Sequence, residues 1–555
     1  MRNPKAGLAI PAAALLAGLL LLVRFASPYQ ERVAPLPEIE AIWAIEDART
    51  PSETPLCQTL LYGGVPLPMD GETGTWYCPI GLRDAWPELE LYLPQGAGLR
   101  ACFADDVLWD DVGEAVASAT PYRILFYTDE RYAYQDIVFT GLPILSLTLE
   151  GPLEGAEDTG AEAIWAAGSG VLRTWARVHR RGASTFYAQG DKIALRLEYT
   201  RHPGGKKIGR RTPGLGEVHS LALLPLLHDE MMLRDRLSWT LWNEVAAGDG
   251  AFAPRRLMTF ELFMDGDYRG VYVALEPFDV TQELTRAGSM HPLTDGVYRT
   301  TAANFWHGDK ALLSHPRRAN AGYELYHSPG LRDPFGPLSG YLSLVTQEDD
   351  ARFVEDFLAW VDVPGAMRYD LMMQAMGETD NFFNNMYIWA DCQGGLQAPV
   401  YRFIPWDLDM SWGLKREDIG EEYENWLTFP VFDRALNLDA GGLRGQVVAA
   451  WGELTRSVLS YAHVEQVVTD LAEELNRSGA PRREAERYEE SLGVIDPQEL
   501  LDFYARRLDV MSEAIAQIEE TQGDVPFLKK AGYVYKGVSI FAPDAQRQDD
   551  EAGEI

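Results

Sequence analysis

The polar residues with the greatest chemical potential are concentrated between positions 378 and 413. Asp380 leaves a predicted helix, Asn385 follows five positions later, and Asp407 and Asp409 come after the next predicted strands. Carboxylate and amide oxygens are the ligands that Mg²⁺ prefers, because Mg²⁺ is a hard cation. The spacing therefore favours a site where one aspartate orients an attacking hydroxyl, while the asparagine and a later aspartate hold a metal ion against a triphosphate.

The same four side chains also have ordinary structural interpretations. Asp380 and Asn385 can cap a helix and a turn, and Asp407 and Asp409 can be solvated turn residues. Because all four occur together among aromatic residues, the chemical interpretation is favoured over the structural one. Paired carboxylates such as Asp380 and Asp407 also equip carbohydrate-active hydrolases, and this alternative stays open.

A cation that could contact phosphates lies upstream of the acidic residues. Lys192 begins a predicted strand and follows the loop 181–185, whose small residues, including Ser184, would let backbone N–H groups approach phosphate oxygens. A lysine at a strand edge often serves only solubility. The chain order of loop, lysine strand, helix, hairpin and acidic segments favours the phosphate role.

Several common catalytic motifs are missing from the sequence. It contains no His-Glu-x-x-His, no G-x-x-x-x-G-K-[ST], no G-x-S-x-G and no paired C-x-x-C. Zinc hydrolysis, P-loop chemistry, serine-esterase chemistry and thioredoxin-like redox chemistry therefore have no local support.

Hydrophobic periodicity predicts the elements that must position these residues. Short apolar and aromatic runs between Gly, Pro and Asp indicate a β-rich region at about 57–140, and irregular composition indicates a long insert or substrate-facing loop at 280–345. Asp265-Gly266 is favoured hairpin chemistry. The other predictions are strands at 141–149, 175–180, 192–199, 257–264, 268–276, 386–390 and 399–405, and helices at 231–245, 350–378 and about 445–520.

Composition excludes some classes of partner. The 555 residues contain 49 Lys plus Arg and 83 Asp plus Glu, a formal net charge of −34. Such an acidic surface repels nucleic acids and anionic membrane surfaces, and it favours basic proteins, cations or metal–nucleotide complexes. Four cysteines in this length exclude a disulfide scaffold, and their pairing is left open.

The N-terminus carries an export signal. Residues 6–23 are uncharged and almost wholly apolar, with Arg2 and Lys5 before them and Arg24 after them. We expect residues 1–28 to be an uncleaved signal anchor in the membrane, with the body outside the cytoplasm; secretion after signal cleavage is the alternative. Residues 29–56, rich in Pro, Glu and Ala, predict a stalk, and residues 526–555 predict a tail.

Five segments together resemble the CotH kinase family, over roughly residues 140–430. They occur in the family's order and include its Arg-Gly-small-Ser loop with the lysine strand, its helix start, its Gly-containing hairpin with Glu276, its catalytic segment and its metal segment. In this sequence the five are 181–185 with 192–197, 228–235, 264–272 with 276, 380–387, and 405–409 through 413.

The resemblance implies a fold and an activity. The fold would be α+β, an atypical protein-kinase-like bilobal fold behind the N-terminal anchor, with a kinase-like domain at 141–430 and a C-terminal helical region at 431–525. A small β-rich lobe at about 140–280 would carry Lys192, and a helical lobe would carry Asp380 and Asp407, with ATP and Mg²⁺ or Mn²⁺ between the lobes. Known members are spore-coat kinases that phosphorylate serine in basic coat proteins, so an exported, basic Ser/Thr-containing substrate is expected.

The resemblance also implies roles for individual residues. Asp380 would be the catalytic aspartate, and Asn385 and Asp407 would hold metal, with Asp409 nearby. Lys192, Ser184 and Glu276 would belong to the ATP-binding set, and Asp229 matches a family position whose role the sequence does not fix. Family members often carry two adjacent lysines where this chain has Lys192 between Asp191 and Ile193. That departure favours the alternative of a catalytically silent scaffold that binds envelope partners.

Overall fold

The protein contains both β-sheets and α-helices, as the mixed α+β class predicts. A computed structural model describes residues 29–94, 98–107, 111–154, 157–182, 192–247, 254–278, 294–301, 319–320, 323–328, 333–347, 349–378, 380–382, 384–392, 395, 399–414, 426–488 and 492–528. The chain divides into two units. Unit 1 comprises Met1–His219, Phe260–Tyr272 and Leu475–Gly493, and unit 2 comprises Ser220–Thr259, Val273–Glu474 and Val494–Ile555.

The elements are numbered here in chain order. The strands are β1 (Tyr29–Arg32), β2 (Thr50–Pro51), β3 (Leu61–Tyr62), β4 (Val65–Pro66), β5 (Trp76–Pro79), β6 (Leu91–Pro94), β7 (Arg100–Phe103), β8 (Tyr122–Tyr127), β9 (Arg131–Thr140), β10 (Ile144–Leu149), β11 (Thr159–Ala167), β12 (Gly170–Arg180), β13 (Leu195–Thr200), β14 (Arg210–Thr212), β15 (Gly216–Val218), β16 (Ser220–Leu224), β17 (Leu257–Met264), β18 (Asp267–Leu275), β19 (Gly296–Thr300), β20 (Ala319–Asn320), β21 (Tyr323–His327), β22 (Tyr387–Asp391) and β23 (Val400–Ile404). The helices are α1 (Ile39–Asp47), α2 (Val112–Ala117), α3 (Arg234–Val245), α4 (Gly336–Val345), α5 (Asp350–Trp360), α6 (Val363–Met376), α7 (Pro430–Asn437), α8 (Leu443–Leu454), α9 (Tyr461–Ser478), α10 (Ala480–Arg487) and α11 (Gln498–Glu520).

The N-terminal part of unit 1 is built from two small sheets. One has the strand order β1-β6-β3-β4, and the other has the order β2-β9-β8-β7 with β5 parallel to β9. Their apolar side chains, among them Trp76, Ile124, Phe126 and Phe139, share one buried core. Seven strands of these sheets, β3 to β9, lie within residues 57–140, the stretch predicted to be β-rich.

The segment that we predicted to be a stalk is folded into unit 1. Strand β1 pairs with β6, and β2 pairs with β9. Val33 and Ile42 are buried, with 3% and 4% of their surface exposed. Pro, Glu and Ala dominate the composition of this stretch, yet a few well-placed apolar side chains are enough to bind it to the sheets. Residues 29–56 are therefore part of unit 1 rather than a stalk.

A third sheet of unit 1 leads to the predicted phosphate-binding lysine. Strands β10, β11, β12 and β13 are antiparallel neighbours in that order, and β17 lies parallel to β10. Strands β17 and β18 form the predicted hairpin, in which Asp265 has φ 54° and Gly266 has φ 88°. Two left-handed residues at the turn match the right-handed twist of the strands. Lys192 lies three residues before β13 instead of beginning it.

Unit 2 combines a five-stranded sheet with most of the helices. The strand order is β20-β21-β19-β22-β23, and β22 and β23 are the antiparallel pair that the sequence predicts at 386–390 and 399–405. Helix α6 begins after Asp362, whose carboxylate accepts the N–H of Gly365, and it ends at Gly377 with φ 63°. A left-handed glycine is a common helix end, and here it turns the chain toward Asp380. Part of the stretch predicted as an irregular insert contributes β19, β21 and α4 to this unit.

Two predictions concern the ends of the chain. The predicted anchor, residues 1–28, lies outside the described residues, as does the tail from residue 529. No helix in the described part of the chain is long and apolar enough to span a bilayer.

A buried polar network lies between three helices of unit 2. Gln374 donates to the Asp370 carboxylate at 3.1 Å, and Arg507 donates to the Gln374 carbonyl at 2.6 Å. Asp433, also fully buried, accepts the indole N–H of Trp426 at 3.0 Å. Burial raises the pKa of Asp370 to about 7, although Gln374 and Arg507 oppose this rise. Asp370 therefore takes up a proton on folding under mildly acidic conditions.

Protonation of Asp370 on folding makes the free energy of unfolding depend on pH. A folded-state pKa above the unfolded value means that the folded protein binds more protons between about pH 4 and pH 7, so the free energy of unfolding falls as pH rises through this range. Asp370→Asn removes the titrating group. Its free energy of unfolding should fall less steeply than that of the wild type, by up to about 1.4 kcal/mol per pH unit. Urea unfolding at a series of pH values measures both slopes.

Asp350→Asn is the matched control, because the Asp350 side chain in the same unit is 64% exposed. It should keep the wild-type slope. Parallel curves for Asp370→Asn and the wild type would contradict the protonation of Asp370.

Candidate active site

The predicted catalytic aspartate lies in a tight loop after α6. One oxygen of Asp380, Oδ2, accepts the side-chain amide N–H of Asn384 at 3.0 Å and that of Asn385 at 2.9 Å. The backbone N–H of Asp380 donates to the Glu378 carboxylate at 2.9 Å. These bonds fix the orientation of the carboxylate. They also turn the Asn385 carbonyl oxygen away from Asp380, where it can accept a cation.

The two residues predicted to hold metal share an uncommon backbone conformation. Asn385 has φ 58° and Asp407 has φ 59°, in the left-handed region that Asn and Asp tolerate best among non-glycine residues. The N–H of Asn385 donates to the Thr300 carbonyl at 3.0 Å, which holds the turn in place. Left-handed residues other than glycine are typical of functional sites, where side chains must point in set directions.

Asn381, which sequence reasoning missed, connects the two acidic segments. Its side-chain N–H donates to the Trp406 carbonyl at 2.6 Å, and its oxygen accepts the Tyr369 hydroxyl at 2.7 Å. Nearby, the backbone N–H of Trp412 donates to the Met376 carbonyl at 2.8 Å. Asn381 is fully buried, and a buried amide must find partners. The signal in the sequence was an amide beside aromatic residues at a helix end.

The structure brings the predicted acidic residues together, and their charges interact. Burial, followed by the charges of Asp407 and Asp380, raises the pKa of Asp409 to about 8. Burial and the charge of Asp380 raise the pKa of Glu378 well above its usual range, with further contributions from Asp409 and Asp407. Like charges this close destabilise one another unless protons or cations compensate them.

These residues fit a divalent cation. Carboxylates and the Asn385 amide oxygen supply acceptor atoms of the hard kind, and Glu378 Oε2 has no hydrogen-bond partner among the described residues. Within the same described residues, no three His, Cys, Asp or Glu side chains are arranged to hold a metal by themselves. Mg²⁺ seldom needs such a cage, because it usually binds one or two carboxylates and completes its shell with phosphates and water. Asp407 and Asn385 would hold the ion, with Asp409 beside them.

Asp229 has a structural role that the sequence did not reveal. Its carboxylate accepts the backbone N–H of Arg234 at 2.7 Å, at the start of α3, and forms a buried ion pair with the Arg234 guanidinium. It also contributes to the negative potential at Asp409. Asp229 therefore fixes the beginning of α3 within unit 2.

In unit 1, Lys192 forms a buried ion pair that the sequence did not predict. The Lys192 ammonium contacts the carboxylate of Glu484 in α10 and donates to the Val271 carbonyl at 3.1 Å. The lysine and glutamate side chains are only 7% and 3% exposed. Burial lowers the pKa of Lys192 and raises that of Glu484, while the attraction between the two groups opposes both shifts.

Gly270 makes room for this ion pair. With φ 84°, it lies in the left-handed region, and a Cβ added there would lie 2.2 Å from Glu484 Oε2 and 2.9 Å from Lys192 Cε. The rings of Tyr272 and Tyr488 flank the Lys192 ammonium, with centroids 5.6 Å and 5.2 Å away. The glycine of the predicted hairpin motif is therefore required by the neighbouring charges as well as by the backbone.

Two further residues, Ser184 and Glu276, were predicted to belong to the ATP-binding set. Ser184 lies outside the described residues. Glu276 follows β18 in unit 2, is fully buried, and its backbone N–H donates to the Arg256 carbonyl at 2.8 Å. Its role as a nucleotide contact stays a prediction.

Comparison with known protein families shows the family to which the chain belongs. A family model described as CotH kinase protein matches residues 178–511, which is more than half of the chain. The chain belongs to the CotH kinase family. No curated protein matches the sequence.

The CotH match extends beyond the motifs recognised in the sequence. The last of those motifs ends at residue 413 and the resemblance extends to about residue 430, whereas the family match continues to residue 511 and so includes α10 with Glu484. Family membership supports a kinase-like protein that uses ATP and a divalent metal in general. It also places both the Lys192 ion pair and the acidic loop within the matched region.

Replacing Gly270 tests how tightly the ion pair is packed. Gly270→Ala would add a methyl group in contact with Glu484 in a left-handed residue, so it should lower the free energy of unfolding by more than the roughly 1–2 kcal/mol of the backbone effect alone. Urea unfolding of the purified variant measures the loss.

Gly204→Ala provides the matched control. Gly204 also has a left-handed backbone, with φ 65°, but open space surrounds its Cβ position. Gly204→Ala should therefore lower the free energy of unfolding only by the backbone effect of a left-handed alanine. Equal losses for the two variants would mean that the ion pair does not constrain position 270.

Proposed function

We propose that this CotH kinase family member transfers the γ-phosphoryl group of ATP to serine or threonine hydroxyls of an exported, basic protein. The observation that carries the proposal is the loop in which the Asn385 side-chain amide donates to Asp380, together with the electrostatic interaction of Asp380, Asp407 and Asp409. A kinase requires this combination of an orienting carboxylate and metal-holding oxygens.

Asp380 acts on the substrate hydroxyl. The hydroxyl oxygen forms a bond to the γ-phosphorus, and the bond from that phosphorus to the β–γ bridging oxygen breaks, so that ADP leaves with the electron pair. The hydroxyl proton passes to the Asp380 carboxylate. The amide bonds from Asn384 and Asn385 hold this carboxylate in one orientation throughout the step.

Lys192 and the metal-holding residues act on the nucleotide. Lys192 contacts the phosphates of ATP, and Ser184 and Glu276 belong to the same binding set. A divalent cation, Mg²⁺ or Mn²⁺, would supply charge neutralisation for the triphosphate. Asp407 and Asn385 position that ion, and the mutual repulsion of the acidic cluster favours its binding over an empty site.

The chain's charge and its N-terminus support the choice of substrate. A net charge of −34 favours basic polypeptides and disfavours nucleic acids. The apolar run at 6–23 favours a body exported from the cytoplasm and held at the membrane or, after cleavage, secreted. Envelope or spore-surface proteins rich in Lys and Arg are therefore the proposed substrates.

A phosphotransfer assay tests the proposed function. The full-length protein, with radiolabelled ATP and MgCl2 or MnCl2, should label a Lys/Arg-rich peptide that contains serine. Asp380→Asn and Asp407→Asn should each lower the initial rate by about 100-fold or more, because general-base and metal-positioning groups contribute at least this much. Phosphoamino-acid analysis identifies the modified residue.

Asp84→Asn is the control, since the Asp84 side chain is fully exposed and its weak surface contact contributes little. It should keep wild-type activity. A folded wild type that neither gains thermal stability with ATP and metal nor labels any peptide would refute the kinase proposal and favour the scaffold alternative.

Salt dependence tests the substrate preference. The Debye length falls from about 10 Å at 0.1 M ionic strength to about 3 Å at 1 M, so added salt screens the attraction between the acidic enzyme and a basic peptide. The KM for a Lys/Arg-rich peptide should therefore rise with NaCl, measured from initial rates at saturating ATP. A neutral serine peptide provides the comparison, and equal salt effects on both peptides would contradict a charge-based preference.

A further inference from the structure

The partner of Lys192 comes from an unexpected part of the chain. Glu484 lies 292 residues after Lys192, in helix α10, and therefore after both the catalytic loop and the metal segment in chain order. Protein kinases also pair their phosphate-contacting lysine with a glutamate, but there the glutamate comes from a helix that precedes the catalytic loop. In this chain, a C-terminal helix that belongs to unit 1 supplies the carboxylate.

Both oxygens of the Glu484 carboxylate have defined partners. Oε1 contacts the Lys192 ammonium, and Oε2 accepts the backbone N–H of Val271 at 2.7 Å. The Val271 carbonyl in turn accepts a hydrogen bond from Lys192 at 3.1 Å. One residue of β18 thus contacts both members of the pair, so the carboxylate, the ammonium and the strand have a fixed mutual geometry.

The neighbouring residue in α10 holds the helix in place. Arg483 makes a bidentate ion pair with Glu261 of β17, at 2.7 Å and 2.8 Å, and it also donates to the Ser478 carbonyl at 2.9 Å. Tyr268 donates its hydroxyl to the same Glu261 carboxylate at 2.8 Å. Two consecutive residues of α10 therefore bind two adjacent strands, which leaves Glu484 little freedom to move away from Lys192.

Stability alone does not explain such a pair. A buried ion pair is often no more stabilising than two apolar side chains of similar volume, because both charges lose their hydration. What Glu484 does provide is a charged, oriented lysine. Burial disfavours the ammonium form of Lys192, and the carboxylate opposes this effect. A neutral or displaced amine would not attract phosphate oxygens.

We propose that Glu484 is the positioning residue for Lys192, holding its ammonium charged and oriented for the phosphates of ATP. The inference rests on the proposed kinase function. It assigns to helix α10 a part in nucleotide binding, although the helix lies outside the motifs that carry the predicted active site.

Isothermal titration of the full-length protein with ATP and MgCl2 tests this role. Glu484→Gln should weaken ATP affinity by roughly 10- to 100-fold, the range expected for losing a hydrogen bond between charged groups. Glu486→Gln makes the same chemical change at an exposed position of the same helix and should bind ATP like the wild type. Thermal unfolding without nucleotide establishes that each variant is folded.

A double-mutant cycle separates positioning from a general structural effect. Lys192→Gln should weaken ATP binding at least as much as Glu484→Gln, and the double variant should be no weaker than Lys192→Gln, because Glu484 acts on ATP only through Lys192. Additive losses would overturn the proposal. If Glu484→Gln does not fold, Glu484→Asp retains the charge with a shorter side chain and should bind ATP with intermediate affinity; wild-type affinity would also overturn it.

The outcomes distinguish this inference from the proposed function. A wild type that does not bind ATP refutes the kinase proposal. A wild type that binds ATP, together with a folded Glu484→Gln of equal affinity, leaves the kinase proposal intact and refutes the role of Glu484.

Discussion

The constraint on which both units depend is the compensation of carboxylates that folding removes from water. In unit 1 the compensation comes from side chains: Glu261 is paired with Arg483, and Glu484 is paired with Lys192. In unit 2 the carboxylates around the loop that carries Asp380 instead lie close to one another, and burial together with their mutual repulsion raises the pKa values of Glu378 and Asp409. In unit 1 the chain's own basic side chains compensate the carboxylates. In unit 2 a proton or a metal ion must bind to complete the compensation.

This difference explains the strict geometry of the loop that carries Asp380. Amide groups cannot neutralise a carboxylate, but they can orient it, and Asn384 and Asn385 do this for Asp380 while leaving the net charge unchanged. A basic side chain in their place would have satisfied the aspartates and removed the attraction for a cation. The asparagine-rich loop therefore retains the negative potential that metal–nucleotide binding requires.

The sequence predicts local features well because short-range chemistry determines them. The Asp265-Gly266 turn, the β22–β23 pair and the cluster of Asp380, Asn385 and Asp407 all depend on residues close together in the chain. Glu484 could not be found in the same way. Its helix has the composition Ala-Pro-Arg-Arg-Glu-Ala-Glu-Arg, which is typical of an exposed surface helix, and a pair separated by 292 residues leaves no periodic signal. The folded part of 29–56 escaped prediction because only a few of its apolar residues make the contacts.

The discontinuity of unit 1 has a consequence for biosynthesis. Its last segment, Leu475–Gly493, joins strands that were made more than two hundred residues earlier. While the chain emerges from the ribosome, Lys192 and Glu261 remain without the helix that bears Glu484 and Arg483. Contacts so distant in sequence form late, since the cost of closing the intervening loop must be met first. Lys192 thus acquires its partner Glu484 only after the segments that carry Asp380 and Asp407 have both been synthesised, so in a partly made chain the lysine lacks the carboxylate that pairs with it.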